Sequence, residues 1–134
     1  MDILDATLRL QELARRINDD LLPFATQEGL TLITAHALWN VDPDRTDLTM
    51  SELAAHLRCN ASNITFIVKQ LESRGFAERS SDPADGRRTV VGLTDEGASA
   101  RQRLGQALAS VSPLTKLTQE EGASFARILN VLRG

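Results

Sequence analysis

The feature that most constrains this chain lies between Thr49 and Gly75, where two capped helices are separated by a very short break. Thr49-Met50-Ser51-Glu52 fits a capping box, with a hydroxyl at the N-cap and a carboxylate three residues later. A short helix follows, with Leu53, Ala54 and Leu57 as its inner face. Arg58-Cys59 makes a tight break, and Asn60 caps a longer helix over 61–74. Ile64, Ile67, Val68 and Leu71 recur at helical spacing and form its buried face. Gly75 stands where a glycine commonly ends a helix. A short helix, a brief turn and a longer helix form the helix-turn-helix pattern. That pattern turns Ser62, Thr65, Phe66 and Lys69 to the face opposite the apolar stripe.

The flanks follow from apolar spacing and breakers. Leu4, Leu8, Leu13, Ile17 and Leu21, with Leu10 and Leu22 beside them, predict an amphipathic helix over 4–22 that gives way near Pro23. Thr31 caps a second helix over 32–41, stopped by Asp42-Pro43-Asp44. Beyond Gly75, Phe76–Arg79 and Thr89–Leu93 each read as a short strand. Between them lies a charged hairpin tip, Ser80 to Arg88, containing Asp82-Pro83-Ala84-Asp85-Gly86. Gly86 is expected there in an unusual backbone conformation. Thr94 starts a helix with Asp95 and Glu96 in its first turn and a stripe of Ala98, Arg101, Leu104, Leu108 and Val111. Pro113 breaks it, Thr118-Gln119-Glu120-Glu121 is a second capping box, and Phe125, Ile128, Leu129 and Leu132 line a last helix.

The expected fold class is therefore mainly α with a small β-hairpin wing, a winged helix-turn-helix with N- and C-terminal dimerisation helices. At 134 residues the chain has the length of one domain, or of one domain with extensions for assembly. Aromatic residues are 4% of it and Tyr is absent, so the core must come from Leu, Ile, Val and Ala. The centre, 30–93, carries its own apolar set as the winged lobe. Residues 1–29 and 94–134 carry stripes that so small a centre need not cover, and packing the terminal helices of two chains together is the economical solution.

Several classes are disfavoured. No apolar run is long enough to span a bilayer, and acidic residues rather than a basic and apolar segment follow Met1, so a cytoplasmic protein without membrane contact is expected. One cysteine and two histidines, His36 and His56, cannot build a Cys-rich zinc site, so no metal or cofactor is expected. A nucleophile elbow, a P-loop and a GxGxxG motif are absent, which argues against an enzyme. Asp19 and Asp20 are adjacent on a helix, point apart and read as solvated. The net charge of −3 hides an asymmetry. Residues 1–57 hold four basic against ten acidic residues, a net of −6, whereas 58–88 hold six against four, a net of +2. Phosphates respond to the local field at a contact surface, not to the total.

The chain resembles the MarR-type winged-helix transcription regulators over nearly its whole length. The resemblance is carried by Gly29-Leu30-Thr31, Leu53-Ala54-Ala55-His56-Leu57, Ser62-Asn63-Ile64-Thr65 and Leu71-Glu72-Ser73-Arg74-Gly75-Phe76. Its most specific part is Asp82-Pro83-Ala84-Asp85-Gly86-Arg87-Arg88 followed by Leu93-Thr94-Asp95-Glu96-Gly97. It implies a homodimer on double-stranded DNA, with the second helix of the helix-turn-helix in the major groove and the wing in the minor groove. It also implies a repressor released by a small aromatic or phenolic effector bound between the dimerisation helices and the DNA lobe.

The chemistry of the residues, together with the resemblance, gives candidate roles residue by residue. Ser62, Asn63, Thr65 and Lys69 offer hydroxyl, amide and ammonium groups to bases or phosphates. Phe66 either packs on a thymine methyl or turns into the core. The family often has an arginine where this chain has Ala61 or Phe66. Arg87 matches the arginine that enters the minor groove, Asp85 the acid that orients it, and Arg88 serves the groove or a phosphate. Arg74 and Arg79 hold the DNA backbone or form salt bridges to Glu72, Glu78 or Asp82. Thr49 and Ser51 lie where a helix N-terminus meets phosphate. Arg16, His36 and Trp39 are the effector-pocket candidates, with Ala35 in place of a frequent aromatic. Cys59 falls in the inter-helix turn, away from the first helix where family peroxide sensors keep their reactive cysteine. The competing reading is a winged helix used only for protein contacts or dimerisation, whose wing tip would not need arginines.

Overall fold

The computed structural model describes all 134 residues, Met1–Gly134. Six α-helices and one antiparallel hairpin follow in the order α1 (Ile3–Gln27), α2 (Leu32–Trp39), α3 (Met50–Leu57), α4 (Ala61–Ser73), β1 (Ala77–Ser81), β2 (Thr89–Leu93), α5 (Asp95–Val111) and α6 (Gln119–Arg133). A short 3-10 turn, Pro113–Lys116, links the last two helices. The fold is the mainly α winged helix-turn-helix that the sequence predicts. No helix is long and apolar enough to cross a membrane.

Each helix starts where a side chain accepts an orphan backbone N–H. Thr31, Thr49, Asn60, Thr94 and Thr118 accept from the N–H of Thr34, Glu52, Asn63, Gly97 and Glu121. At Thr118 the box is complete, because the Glu121 carboxylate accepts the Thr118 N–H at 3.0 Å. At Thr49 only half of the expected box forms. The Glu52 carboxylate turns instead to Arg45, 2.7 Å away, which also holds Asp47 at 2.7 Å and ties the loop before α3 to that helix.

Several boundaries differ from the sequence expectation, and β1 runs on to Ser81 instead of ending at Arg79. α1 runs through Pro23 to Gln27. Its inner residues Leu21 and Ala25 are fully buried on either side of the proline, and that packing offsets the hydrogen bond the proline lacks. α2 ends at Trp39, because Asn40 caps it by donating its amide to the His36 carbonyl and Val41 drops into the core. β1 begins at Ala77 because Phe76 is used in closing α4. Arg58, in the turn, has the one positive φ outside glycine, 52°.

One apolar cluster joins the lobe to the terminal helices. Leu21 and Ala25 of α1, Leu38 of α2, Leu53 of α3, Leu71 of α4, Val91 of β2 and Leu104 of α5 all belong to it. Thr34 is buried among them with its hydroxyl bonded to the Thr31 carbonyl at 3.0 Å. The inward stripe of α5 is Gly97, Ala100 and Leu104, rotated from the expected Ala98 and Arg101. The reason is Phe76. Its carbonyl lies so close to Gly97 that no Cβ fits. It also accepts the Thr94 N–H at 3.1 Å, while the Phe76 N–H bonds back to Leu71 at 2.9 Å. Gly75, at φ +76°, permits that reversal.

A longer link ties α1 to α5. Arg103 grips the Glu28 carboxylate through two bonds of 2.7 and 2.9 Å, and the Glu28 side chain is 18% exposed. The guanidinium, chiefly through this hydrogen bonding, holds the Glu28 carboxyl below its ordinary 4.5. A depressed carboxyl stabilises the fold fully above its unfolded value and less as pH falls through the folded one. Stability should therefore decline as pH drops below 4.5, and Glu28→Gln should remove part of that decline in urea unfolding curves recorded at several pH values. In the same assay at neutral pH and fixed protein concentration, Gly97→Ala should cost about 2–3 kcal/mol by overpacking. Gly122→Ala, an open helical position, should instead stabilise by about 0.5–1 kcal/mol.

Candidate nucleic-acid interface

The positions expected to matter divide into two structural groups. Some border a cleft of ≈ 940 Å³ framed by the N-terminus of α3, one flank of α4 and the hairpin, while Ser62, Asn63, Phe66, Lys69, Arg74 and Asp85 do not line it. Thr49, Ser51, Thr65, Arg79, Arg87 and Arg88 all line it. The hairpin is held there by its register, Ala77↔Leu93 through Ser81↔Thr89, and by an added bridge between Thr49 and Val90. The Val91 N–H bonds to Leu48 at 2.9 Å, so the wing is pinned to the residue preceding the cap of α3.

The hairpin tip is shaped by two carboxylates. Asp82 accepts the Ala84 N–H at 2.9 Å, and Asp85 accepts the Arg87 N–H at 3.1 Å. The Asp82 N–H closes the loop on the Arg88 carbonyl at 2.9 Å. With these aspartate turns in place Gly86 needs no left-handed backbone, and it has none, contrary to expectation. Asp85 also receives Arg87 Nε at 3.1 Å and lies 3.7 Å from Arg88 Nε. The Arg87 side-chain and backbone donors hold the Asp85 carboxyl below its ordinary 3.8. Arg87 nevertheless stays 91% exposed, a cation aimed by its neighbour but covered by nothing.

On α4, Ser62, Asn63, Phe66 and Lys69 are exposed and Thr65 is half-buried. Phe66 does not turn into the core. The Thr65 hydroxyl donates to the Ala61 carbonyl at 2.9 Å, which leaves its oxygen as an acceptor for other partners. Arg79 is paired with Glu72 at 2.9 Å, one of the ion pairs the sequence left open. Arg74 is drawn the other way. Its guanidinium covers the open face of Gly29, at φ +72°, and its charge helps depress Glu28. Arg74 thus stands at the joint between α1 and α2, apart from the cleft.

The effector-pocket candidates are only partly brought together. His36 and Trp39 meet edge to face with ring centroids 5.7 Å apart. Burial pushes the His36 imidazole below its usual value. Arg16 is exposed on α1, and no hydrogen bond or ion pair joins it to them. Sequence reasoning missed Arg101 as a neighbour of this pair. It donates to the Trp39 carbonyl at 3.0 Å, and its Nε is buried without a partner. A cation at the carbonyl end of a helix satisfies an orphan acceptor, but a partner 62 positions away leaves no local signal. Cys59 is half-buried at the edge of the large cleft.

Residues 30–89, which contain the cleft, match the model of the MarR family. A transcriptional regulatory protein for the hcr operon of Thauera aromatica is 32% identical over 83 residues, 62% of this chain and 49% of the relative. The chain thus spans about half the length of that relative. The HTH-type transcriptional repressor MdtR of Bacillus subtilis is 27% identical over 126 residues, 92% of this chain and 81% of the relative. Among solved structures, the MarR family regulator Sco3205 of Streptomyces coelicolor, determined in complex with DNA, superposes with a TM-score of 0.77 at 23% identity. The match covers 96% of this chain and 83% of that one, and establishes the shared fold.

The aim of the wing cation depends on Asp85. Asp85→Asn should leave the urea unfolding midpoint unchanged, as for an exposed pair. It should also raise the side-chain mobility of Arg87, read from 15N relaxation at its Nε.

Proposed function

We propose that this chain is a DNA-binding transcriptional regulator, a repressor that acts as a homodimer on a palindromic operator and is released by a small aromatic or phenolic effector. The observation that carries the reading is the exposed Arg87, oriented by Asp85 beside the uncovered polar face of α4. In this reading Ser62, Asn63, Thr65 and Phe66 face the major groove, Lys69 and Arg88 meet phosphates, and Arg87 enters the minor groove. Arg79 and Arg74 serve the DNA backbone at one remove, by bracing α4 and its exit.

The terminal segments supply the dimer, with 30–93 as the DNA lobe and 1–29 and 94–134 as the assembly helices. Ile3, Leu4, Leu8 and Leu10 of α1 are exposed, as are Ile128, Leu129 and Leu132 of α6, and α6 buries no residue at all. Apolar stripes of this extent are stable when a second copy covers them. Two lobes joined in this way present two α4 helices to one side of a duplex, about one helical turn apart. An effector bound near His36 and Trp39, with Arg16 as counter-ion to an acidic group, releases DNA if it binds the released spacing of the lobes better than the bound one.

The repressor function of MdtR and the DNA complex of Sco3205 support the reading for this domain. The test is selection of bound fragments from genomic DNA, with sedimentation at micromolar concentration. A dimer that enriches a palindrome is expected. Arg87→Ala should weaken its binding about 10- to 100-fold, and affinity should fall steeply with salt. A monomer that enriches no duplex would overturn the reading and leave a winged helix for protein contacts in its place.

A further inference from the structure

At about 100° per residue, Ser62, Phe66, Lys69 and Ser73 form one ridge of α4, on the far side from Ile64 and Leu71. Phe66 sits in the middle of that ridge and is 62% exposed. Between Ile33 and Val111 it is the only large apolar side chain left exposed. Within the lobe only Ile33, on α2 and 45% exposed, shares this exposure; the other large hydrophobes go into or against the core, so the position of Phe66 is not explained by folding. It is also not part of the terminal apolar stripes, which lie on other helices.

The groups around it are poor directional readers. The ridge holds no arginine, asparagine, glutamine or carboxylate, which leaves Lys69 as its one side chain able to pair hydrogen bonds with a base, and the exposed Asn63 stands about a quarter-turn away. The Thr65 hydroxyl has spent its proton on Ala61. Lys69 lies within one turn of Phe66, and the 58–88 segment is net positive, with six basic against four acidic residues. That charge fits a polyanion better than an apolar protein surface. In the major groove of a duplex the apolar group on display is the C5-methyl of thymine.

We propose that Phe66 is a specificity-determining residue that packs on a thymine C5-methyl, so that each half of a preferred site carries an A·T pair opposite it. The proposal rests on the DNA-binding reading and sharpens it. Sequence is then discriminated at this position by burial of a methyl group against an aromatic ring, with the phosphate contacts setting overall affinity.

The test separates the two. Duplexes are selected by the full-length protein from a random pool, and the best is resynthesised with uracil for thymine, which removes only the methyl groups. Affinities of wild type and Phe66→Ala for both duplexes are measured at one salt concentration. Burying one methyl-sized group corresponds to a factor of about four, so with two half-sites uracil should weaken wild type about four- to fifteen-fold. Phe66→Ala should bind both duplexes equally. Its thermal unfolding should match wild type, because the side chain is exposed. Equal wild-type affinity for the two duplexes, or thymine preference retained by Phe66→Ala, would overturn the methyl contact while leaving DNA binding intact. No duplex enriched from the thymine pool would overturn the DNA-binding reading itself, and Phe66 would then mark a protein-docking face.

Discussion

The fold turns on the backbone of one residue, Phe76. Its N–H closes α4 on the Leu71 carbonyl, and its own carbonyl accepts the Thr94 N–H and seats against Gly97. The Thr94 hydroxyl donates to the neighbouring Gly75 carbonyl. The end of α4, the first strand of the wing and the start of α5 therefore meet within a few ångströms. A left-handed glycine on one side and a glycine without room for Cβ on the other make the approach possible. Moving any of the three elements disturbs backbone hydrogen bonds in the other two, and an unpaired buried amide is costly. That constraint fixes the angle between the exposed ridge of α4 and the arginine-bearing hairpin.

A second set of contacts joins this junction to the terminal helices. Arg103 of α5 holds Glu28 just past the end of α1, and Arg74, the residue capping α4, covers Gly29 beside it. Arg101 reaches across to the last carbonyl of α2. The helices with uncovered apolar stripes are thus linked through short polar contacts to the lobe that carries the cations. In the proposed dimer, such links give a physical route by which the spacing of two copies governs the spacing of two α4 helices.

Much of this was legible in the sequence because the signals were local. A cap and its partner N–H lie three residues apart, so Thr31, Asn60, Thr94 and Thr118 announced their helices. Gly75 announced the end of α4. The exposed Phe66 was only half legible, since an apolar residue on a polar face of a short amphipathic helix is equally compatible with an inward turn. Pro23 misled because its local cost was visible and the burial of Leu21 and Ala25 was not. Gly86 misled because two aspartate side chains do the work that a left-handed glycine does elsewhere. The pairing of Arg103 with Glu28, 75 positions apart, has no sequence signature at all.

The overall acidity of the chain and a DNA-facing role are compatible because the charges are segregated. The excess of carboxylates lies in the first 57 residues, largely outside the cleft, and the cleft itself is lined by Arg79, Arg87 and Arg88. The most direct test of the account is a hydroxyl-radical footprint of the full-length protein on its best selected duplex. The account predicts two protected stretches, symmetric about the centre of the site and about one helical turn apart, each flanked by protection of the adjoining minor groove. A duplex left uniformly cleaved, or protected on one side of its centre alone, would contradict it.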